Sequence, residues 1–258
     1  MNKATISFEE ALFEYCLRLG DTSLIMGQRL SEWCGHAPYL EEDIAISNFA
    51  LDYIGQARII LSYAGKVEDK GRNEDSLAYL RDALQFRNLL MAEQPNGDFG
   101  TTVMKQYLIG VYNFHLYSLL QKSKDSEIAA FAAKSLKEVA YHVRHSGDWV
   151  SRLGDGTDES KKRIQDAIED LWYFVDDMFQ IDDVETMLLS NGVAADLNEV
   201  KKLWTATVTD KFKTVSLTIP EVNNAMRLDS RKGNHTEHLG YILAEMQVLP
   251  RSYPDAKW

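Results

Sequence analysis

Residues 101–120 read TTVMKQYLIGVYNFHLYSLL, and this stretch decides the fold class. Val103, Tyr107, Leu108, Ile109, Val111, Phe114, Leu116 and Leu119 leave almost no polar side. A helix that is apolar nearly all round is buried inside a bundle of other helices. The stretch also contains no Asp or Glu; none occurs between Asp98 and Asp125.

Helical signals continue on both sides. Ser7 and Glu10 fit a capping box, in which each side chain bonds the other's free backbone N–H. Leu12, Cys16, Leu19, Ile25, Met26, Leu30 and Trp33 follow at helical spacing, up to the Gly35-His36-Ala37-Pro38 break. A second helix is expected over 41–64, closed by Gly65. A third is expected over 76–91, ahead of the turn at Pro95-Asn96-Gly97. After the central helix come segments at 126–153 and 158–179, one capped by Asp196 and Glu199 that runs to 217, and a last one at 236–248. The first pair and the 101/126 pair form two long hairpins. Two such hairpins make a four-helix bundle, with the other helices packed around it. The expectation is an all-α, ferritin-like four-helix bundle with additional packed helices, in one domain over 1–258.

Composition narrows the function. The 258 residues are 45% hydrophobic and 26% charged, the composition of an ordinary globular protein. The net charge of −11 repels nucleic acid and anionic membranes, so neither is expected as a partner. No run approaches the ~20 apolar residues that span a bilayer, and residues 1–7 lack an apolar signal core. Cys16 and Cys34 sit among apolar neighbours and read as two buried thiols in a reducing cytoplasm.

A ferritin-like bundle raises the di-iron carboxylate site. That site takes a Glu from each of two helices and a Glu-x-x-His pair from each of the other two. The spacing of three places both ligands of a pair on one helix face. Helix 1 offers Asp21, which the count from the Gly35 turn places level with Asp52 on helix 2. Three residues after Asp52 stands Gly55, not His. The 126–153 helix offers Glu138, but Tyr141 fills the His position and His142 follows at i+4. At the matching height the central helix carries Gly110 and Val111. The shell cannot be assembled, since two hard cations need oxygen donors from every side. Asp21, Asp52, Glu138 and His142 therefore read as a vestigial, metal-free cluster without catalytic residues. Inward carboxylates without a metal must be neutralised, and His142 and Arg58 are the nearest cations by sequence.

Several blocks carry a resemblance. They are Leu19-Gly20-Asp21, Gln28-Arg29-Leu30-Ser31-Glu32-Trp33-Cys34-Gly35-His36-Ala37-Pro38, Leu51-Asp52-Tyr53-Ile54-Gly55-Gln56-Ala57-Arg58 and Glu93-Gln94-Pro95-Asn96-Gly97. Lys137-Glu138-Val139-Ala140-Tyr141-His142, His235-Thr236-Glu237-His238-Leu239-Gly240 and Leu243-Ala244-Glu245-Met246-Gln247 complete the set. Together they span nearly the whole chain, which resembles the C-subunit family of phenylacetyl-CoA epoxidases. The resemblance implies a ferritin-like structural subunit that holds no cofactor. It implies pairing with a homologous catalytic subunit that bears the di-iron centre and adds one oxygen atom across the aromatic ring. A small bridging subunit and a reductase with flavin and an iron–sulfur cluster are further implied partners.

Three function classes remain open on the residues: a scaffold, a di-iron oxygenase with an unorthodox ligand set, and a CoA-ester binder without chemistry. The other polar features have plain readings. His235 and His238 at i, i+3 read as capping or interface groups before metal ligands, and His115 as a satisfied core histidine. Asp176-Asp177 and Asp182-Asp183 read as solvated faces and caps. Trp33, Trp149, Trp172 and Trp204 read as core or interface aromatics, with Trp258 in the tail.

Overall fold

The computed structural model describes residues 6–221, 229–254 and 256, and among them every regular element is helical. Met1–Thr5 of the N-terminal reading, the tail residue Trp258 and residues 222–228 lie outside the described residues. Among the described residues, no helix is long and apolar enough to cross a membrane. The α-helices are α1 (Phe8–Ser31), α2 (Leu40–Glu68), α3 (Glu74–Tyr79), α4 (Leu90–Glu93), α5 (Phe99–Leu120), α6 (Ser126–Gly154), α7 (Asp158–Trp172), α8 (Val175–Met178), α9 (Asp183–Ser190), α10 (Leu197–Thr214) and α11 (Glu237–Ser252). The chain forms two compact units. The first comprises the described parts of Met1–Gln94, Ile181–Ala194 and Leu228–Trp258; the second comprises those of Pro95–Gln180 and Ala195–Arg227.

The first unit is built on the antiparallel α1–α2 hairpin. Ser7 and Glu10 form the expected capping box at its start. The two helices approach closely at glycines: a Cβ on Gly27 would lie 3.1 Å from the Ala50 carbonyl oxygen, and one on Gly20 would strike Leu61. Helices α9 and α11 pack on α1, and α11 also covers α3 and α4.

The second unit is built on the α5–α6 hairpin, with α7 and α10 packed against it. Helix α5 is buried on nearly every side, as its composition requires. Trp204 of α10 is buried and donates its indole N–H to the Leu108 carbonyl at 2.9 Å. Its ring centroid lies 5.4 Å from that of Phe179 and 5.7 Å from that of Trp172.

Several elements differ from the sequence reading. Helix α2 passes through Gly65 and ends only where Asp69 turns left-handed (φ +52°). The 76–91 helix is broken into α3, a short 3₁₀ turn at Ala83–Gln85 and α4. No glycine or proline breaks it. Instead, side chains take the backbone donors that a helix would have used. Gln85 Oε1 accepts from Asp82 N (2.9 Å), Asp21 Oδ2 from Arg87 N (2.8 Å), and Thr22 Oγ1 from Leu89 N (3.2 Å). The 158–179 segment divides into α7 and α8, α10 ends at Thr214, and the last helix extends to Ser252. Residues 183–190, for which no helix was expected, form α9, with Asp182 as its cap in line with the capping reading of Asp182-Asp183. Asp177 is buried rather than solvated. Cys16 is buried as expected, but Cys34 is exposed, because the 32–36 turn projects beyond the packed part of the hairpin.

Candidate functional site

Two clusters of buried polar groups in the first unit gather around the 81–93 segment. Asp21, fully buried on α1, lies against Arg81, which is itself only 2% exposed. Arg81 Nη1 donates to Asp21 Oδ2 at 2.9 Å, and Nη2 to Oδ1. With Arg87 N also bound to Oδ2, both carboxylate oxygens are engaged. The guanidinium further stacks 4.3 Å from the Phe86 ring centroid.

A second cluster closes the same segment onto α11. Glu93 is fully buried. Its Oε1 accepts from Thr236 N (2.6 Å) and Thr236 Oγ1 (2.7 Å). Its Oε2 accepts from Asn88 Nδ2 (2.8 Å) and faces His235 Nδ1 (2.9 Å). His235 Nε2 faces the Phe86 carbonyl at 3.0 Å. Both ring nitrogens thus meet acceptors, the arrangement of an imidazolium. Burial disfavours that charge, but the bond and charge of Glu93 outweigh it, and the His235 pKa lies above its ordinary value. The hydrogen-bonding reading of His235 therefore describes its geometry.

A third cluster ties α9 to α1. Arg18 Nη2 pairs with Asp182 Oδ2 at 2.6 Å, and Nη1 reaches both Asp182 Oδ1 (3.0 Å) and Glu185. Arg231 Nη1 meets the other Glu185 oxygen at 3.2 Å. Burial pushes the Asp182 carboxyl up, yet Arg18 pulls it further down, so its pKa lies below the ordinary value. Two cations balance two anions, which is how buried charges persist. In the second unit, His115 of α5 is half-buried and its Nε2 lies 2.8 Å from Thr207 Oγ1 of α10.

The four residues singled out from the sequence fall two in each unit: Asp21 and Asp52 in the first, Glu138 and His142 in the second. Asp52 and Glu138 are half-buried, on α2 and α6; His142 is fully buried on α6. Within the first unit Asp21 and Asp52 are not level. Gly20 lies against Ile60 and Leu61, and Gly27 against Ala50 and Ile54. Asp52 is therefore about 12 Å along the hairpin from the level of Asp21, at 1.5 Å per residue. The cause is the connection. Trp33, Cys34 and His36 each donate to the carbonyl three residues back, so the turn prolongs α1 and shifts the register. The second hairpin is likewise offset, with Val143 rather than Glu138 against Gly110.

Neutralisation also differs in its agent. The cation on Asp21 is Arg81, not Arg58 or His142; Arg58 is exposed and pairs with Glu74 at 3.5 Å. The sequence signal for Arg81 was only an Arg in an apolar helical pattern, which does not reveal that the helix breaks there. Glu93 and His235, 142 positions apart, could not be joined by spacing at all. As for the di-iron centre of the ferritin-like fold, Asp21 does not fit as a ligand. A guanidinium holds both of its oxygens and would repel a metal ion placed beside it.

Over residues 1–258 the sequence matches the family described as "Phenylacetic acid catabolic protein". It is 46% identical to the C-type subunit of the 1,2-phenylacetyl-CoA epoxidase of Escherichia coli (strain K12), over 96% of this chain and 99% of that protein. The all-helical architecture agrees with a ferritin-like fold.

Proposed function

The chain belongs to the phenylacetic acid catabolic protein family, and from that membership we propose that it is a non-catalytic, structural subunit of a phenylacetyl-CoA epoxidase. The observation that carries the reading is the Asp21–Arg81 pair. The acid that helix 1 would offer to a metal is bound by a cation of the chain's own. In this reading no cofactor resides here. The iron pair belongs to a homologous catalytic subunit, and the flavin and iron–sulfur cluster to a reductase, in the cytoplasm. A bridging subunit also joins the assembly.

What the chain contributes is then a surface. Tyr39, Leu40, Ile44 and Leu51 are between 54 and 71% exposed. The three α2 members lie four and seven residues apart, so they form one line along the helix. An apolar line of this kind calls for a protein cover. We assign it to the catalytic subunit, in an interface of obligate size, above about 2,000 Å² in total.

Gel filtration of the chain mixed with that subunit is the test. Co-elution at micromolar concentration, with iron found by elemental analysis only in the partner, is the expected result. Separate elution, or stoichiometric iron and epoxidation by this chain alone, would reverse the assignment.

A further inference from the structure

The outer face of α6 stands apart in an acidic chain that carries 39 Asp and Glu against 28 Lys and Arg. Lys134, Lys137, Tyr141, Arg144, Asp148 and Arg152 are all exposed. At 3.6 residues per turn they fall within one stripe of about 100°. Four of the six are cations and one is an anion.

These cations differ from their neighbours in their partners. On α7, Lys162 binds Asp166 (2.6 Å) and Arg163 binds Glu159 (2.7 Å). On α10, Lys201 binds Asp176 (3.2 Å) and Lys202 binds Glu199 (3.4 Å). Among the described residues, none of Lys134, Lys137, Arg144 and Arg152 meets a carboxylate. The two arginines lie over aromatic rings instead. Arg144 is 5.1 Å from the Tyr141 centroid, and Arg152 is 5.0 Å from that of Trp149. A ring orients a guanidinium while leaving its N–H groups available to oxygen acceptors. Lys211 of α10 adds a fifth cation beside this face, its Nζ 3.2 Å from Ser151 Oγ.

We propose that the outer face of α6 is a docking surface for an acidic protein, recognised through carboxylates spaced along the helix. The line from Lys134 to Arg152 is about 27 Å long, at 1.5 Å per residue. That is the footprint of a macromolecule; a single phosphate or nucleotide would meet only one end of it. The face is the convex side of a helix and has no concavity to enclose a small ligand. A lipid surface would require large apolar side chains to insert, and the stripe offers only Tyr141. Nucleic acid would meet the repulsion of the whole chain, net −11. An acidic protein surface needs no such insertion, and its sparser carboxylates meet less of that repulsion than a phosphodiester backbone does; exposed charges of this kind act mainly by speeding encounter. The apolar line on α2 and the cationic line on α6 call for partners of different chemistry.

The test is a titration of labelled poly-L-glutamate with the full-length chain, followed by fluorescence anisotropy at low and at physiological salt. Binding that weakens with salt is expected. The four reversals Lys134→Glu, Lys137→Glu, Arg144→Glu and Arg152→Glu together should weaken it by about tenfold or more. The neutral pair Arg144→Gln and Arg152→Gln should weaken it partly. Lys162→Glu, on α7, should leave it unchanged. Helical circular dichroism of each variant should match the wild type, since these side chains hold nothing in place. Failure of the polymer to bind, binding untouched by the α6 changes, or preference for polyuridylate or phosphatidylserine vesicles would overturn the proposal.

Discussion

Arg81 Nη1 lies 2.9 Å from Asp21 Oδ2, joining the break after α3 to the middle of α1 in a pair almost wholly withdrawn from solvent. Removing one partner leaves the other charge buried and uncompensated, which costs about 3–5 kcal/mol. Arg81→Met and Asp21→Ala should each lower the stability measured by urea unfolding by that amount. The double change Asp21→Leu with Arg81→Met should recover much of the loss, because an apolar pair has no charge to strand. Single changes worth less than about 1 kcal/mol would show that the pair is solvated in solution.

His235 supplies a pH dependence whose sign follows from its raised pKa. A group whose folded pKa exceeds its unfolded value stabilises fully below the unfolded value, here near 6.5, and that contribution is lost as pH rises through the folded pKa. The charged ring faces Glu93 of α4, with Asp21 of α1 contributing further off. The stability gap between wild type and His235→Gln should therefore be wider at about pH 6 than at about pH 9. Unfolding curves at the two values measure it, and a gap that widened with pH would contradict the imidazolium.

The helices were largely legible because their signals are local. Ser7 with Glu10, the apolar run after Thr101 and the turn at Gly97 each act within a few residues. Level and pairing were not legible. Counting outward from Gly35 assumes that the chain reverses at once, whereas Trp33, Cys34 and His36 prolong α1 in tight turns. That moved Asp52 away from Asp21. The break after α3 was invisible for a related reason, since the groups that satisfy its backbone include Asp21 and Thr22, more than sixty positions earlier. Buried pairs such as Glu93 with His235 depend on tertiary proximity, which no spacing rule encodes.

Gly233 has φ +78°, and a Cβ there would stand 2.0 Å from the Leu84 carbonyl oxygen. The obstacle is backbone, so no side chain can move aside. Gly233→Ala should destabilise through both the left-handed conformation and the collision, by about 1–3 kcal/mol at least. A thermal melt unchanged by this substitution would mean that the 230–233 turn is free to move away.

Trp204 organises the second unit. It is buried, lies beside Trp172 and Phe179, and is bonded to the Leu108 carbonyl of α5. Truncation to alanine opens a large cavity, and such changes cost about 3–5 kcal/mol. Trp204→Phe should cost less, because most of the volume is kept and only the indole N–H bond is lost. Equal losses for the two variants would assign the stabilisation to that bond rather than to packing.

Ile44 and Leu51 separate folding from assembly. Both are more than half exposed on α2. Ile44→Glu or Leu51→Glu should therefore change the stability of the isolated chain by no more than about 0.5 kcal/mol. The same charge, placed in a closed apolar interface, would be desolvated without a partner. Loss of one side of a buried contact weakens association by about 2 kcal/mol or more. The expected outcome is an unchanged melt with reduced co-elution with the catalytic subunit. Arg58→Glu, an exposed change on the same helix at the edge of this line, should reduce co-elution less, because a rim charge remains solvated. Co-elution of Ile44→Glu and Leu51→Glu at wild-type concentration would show that the partner binds elsewhere.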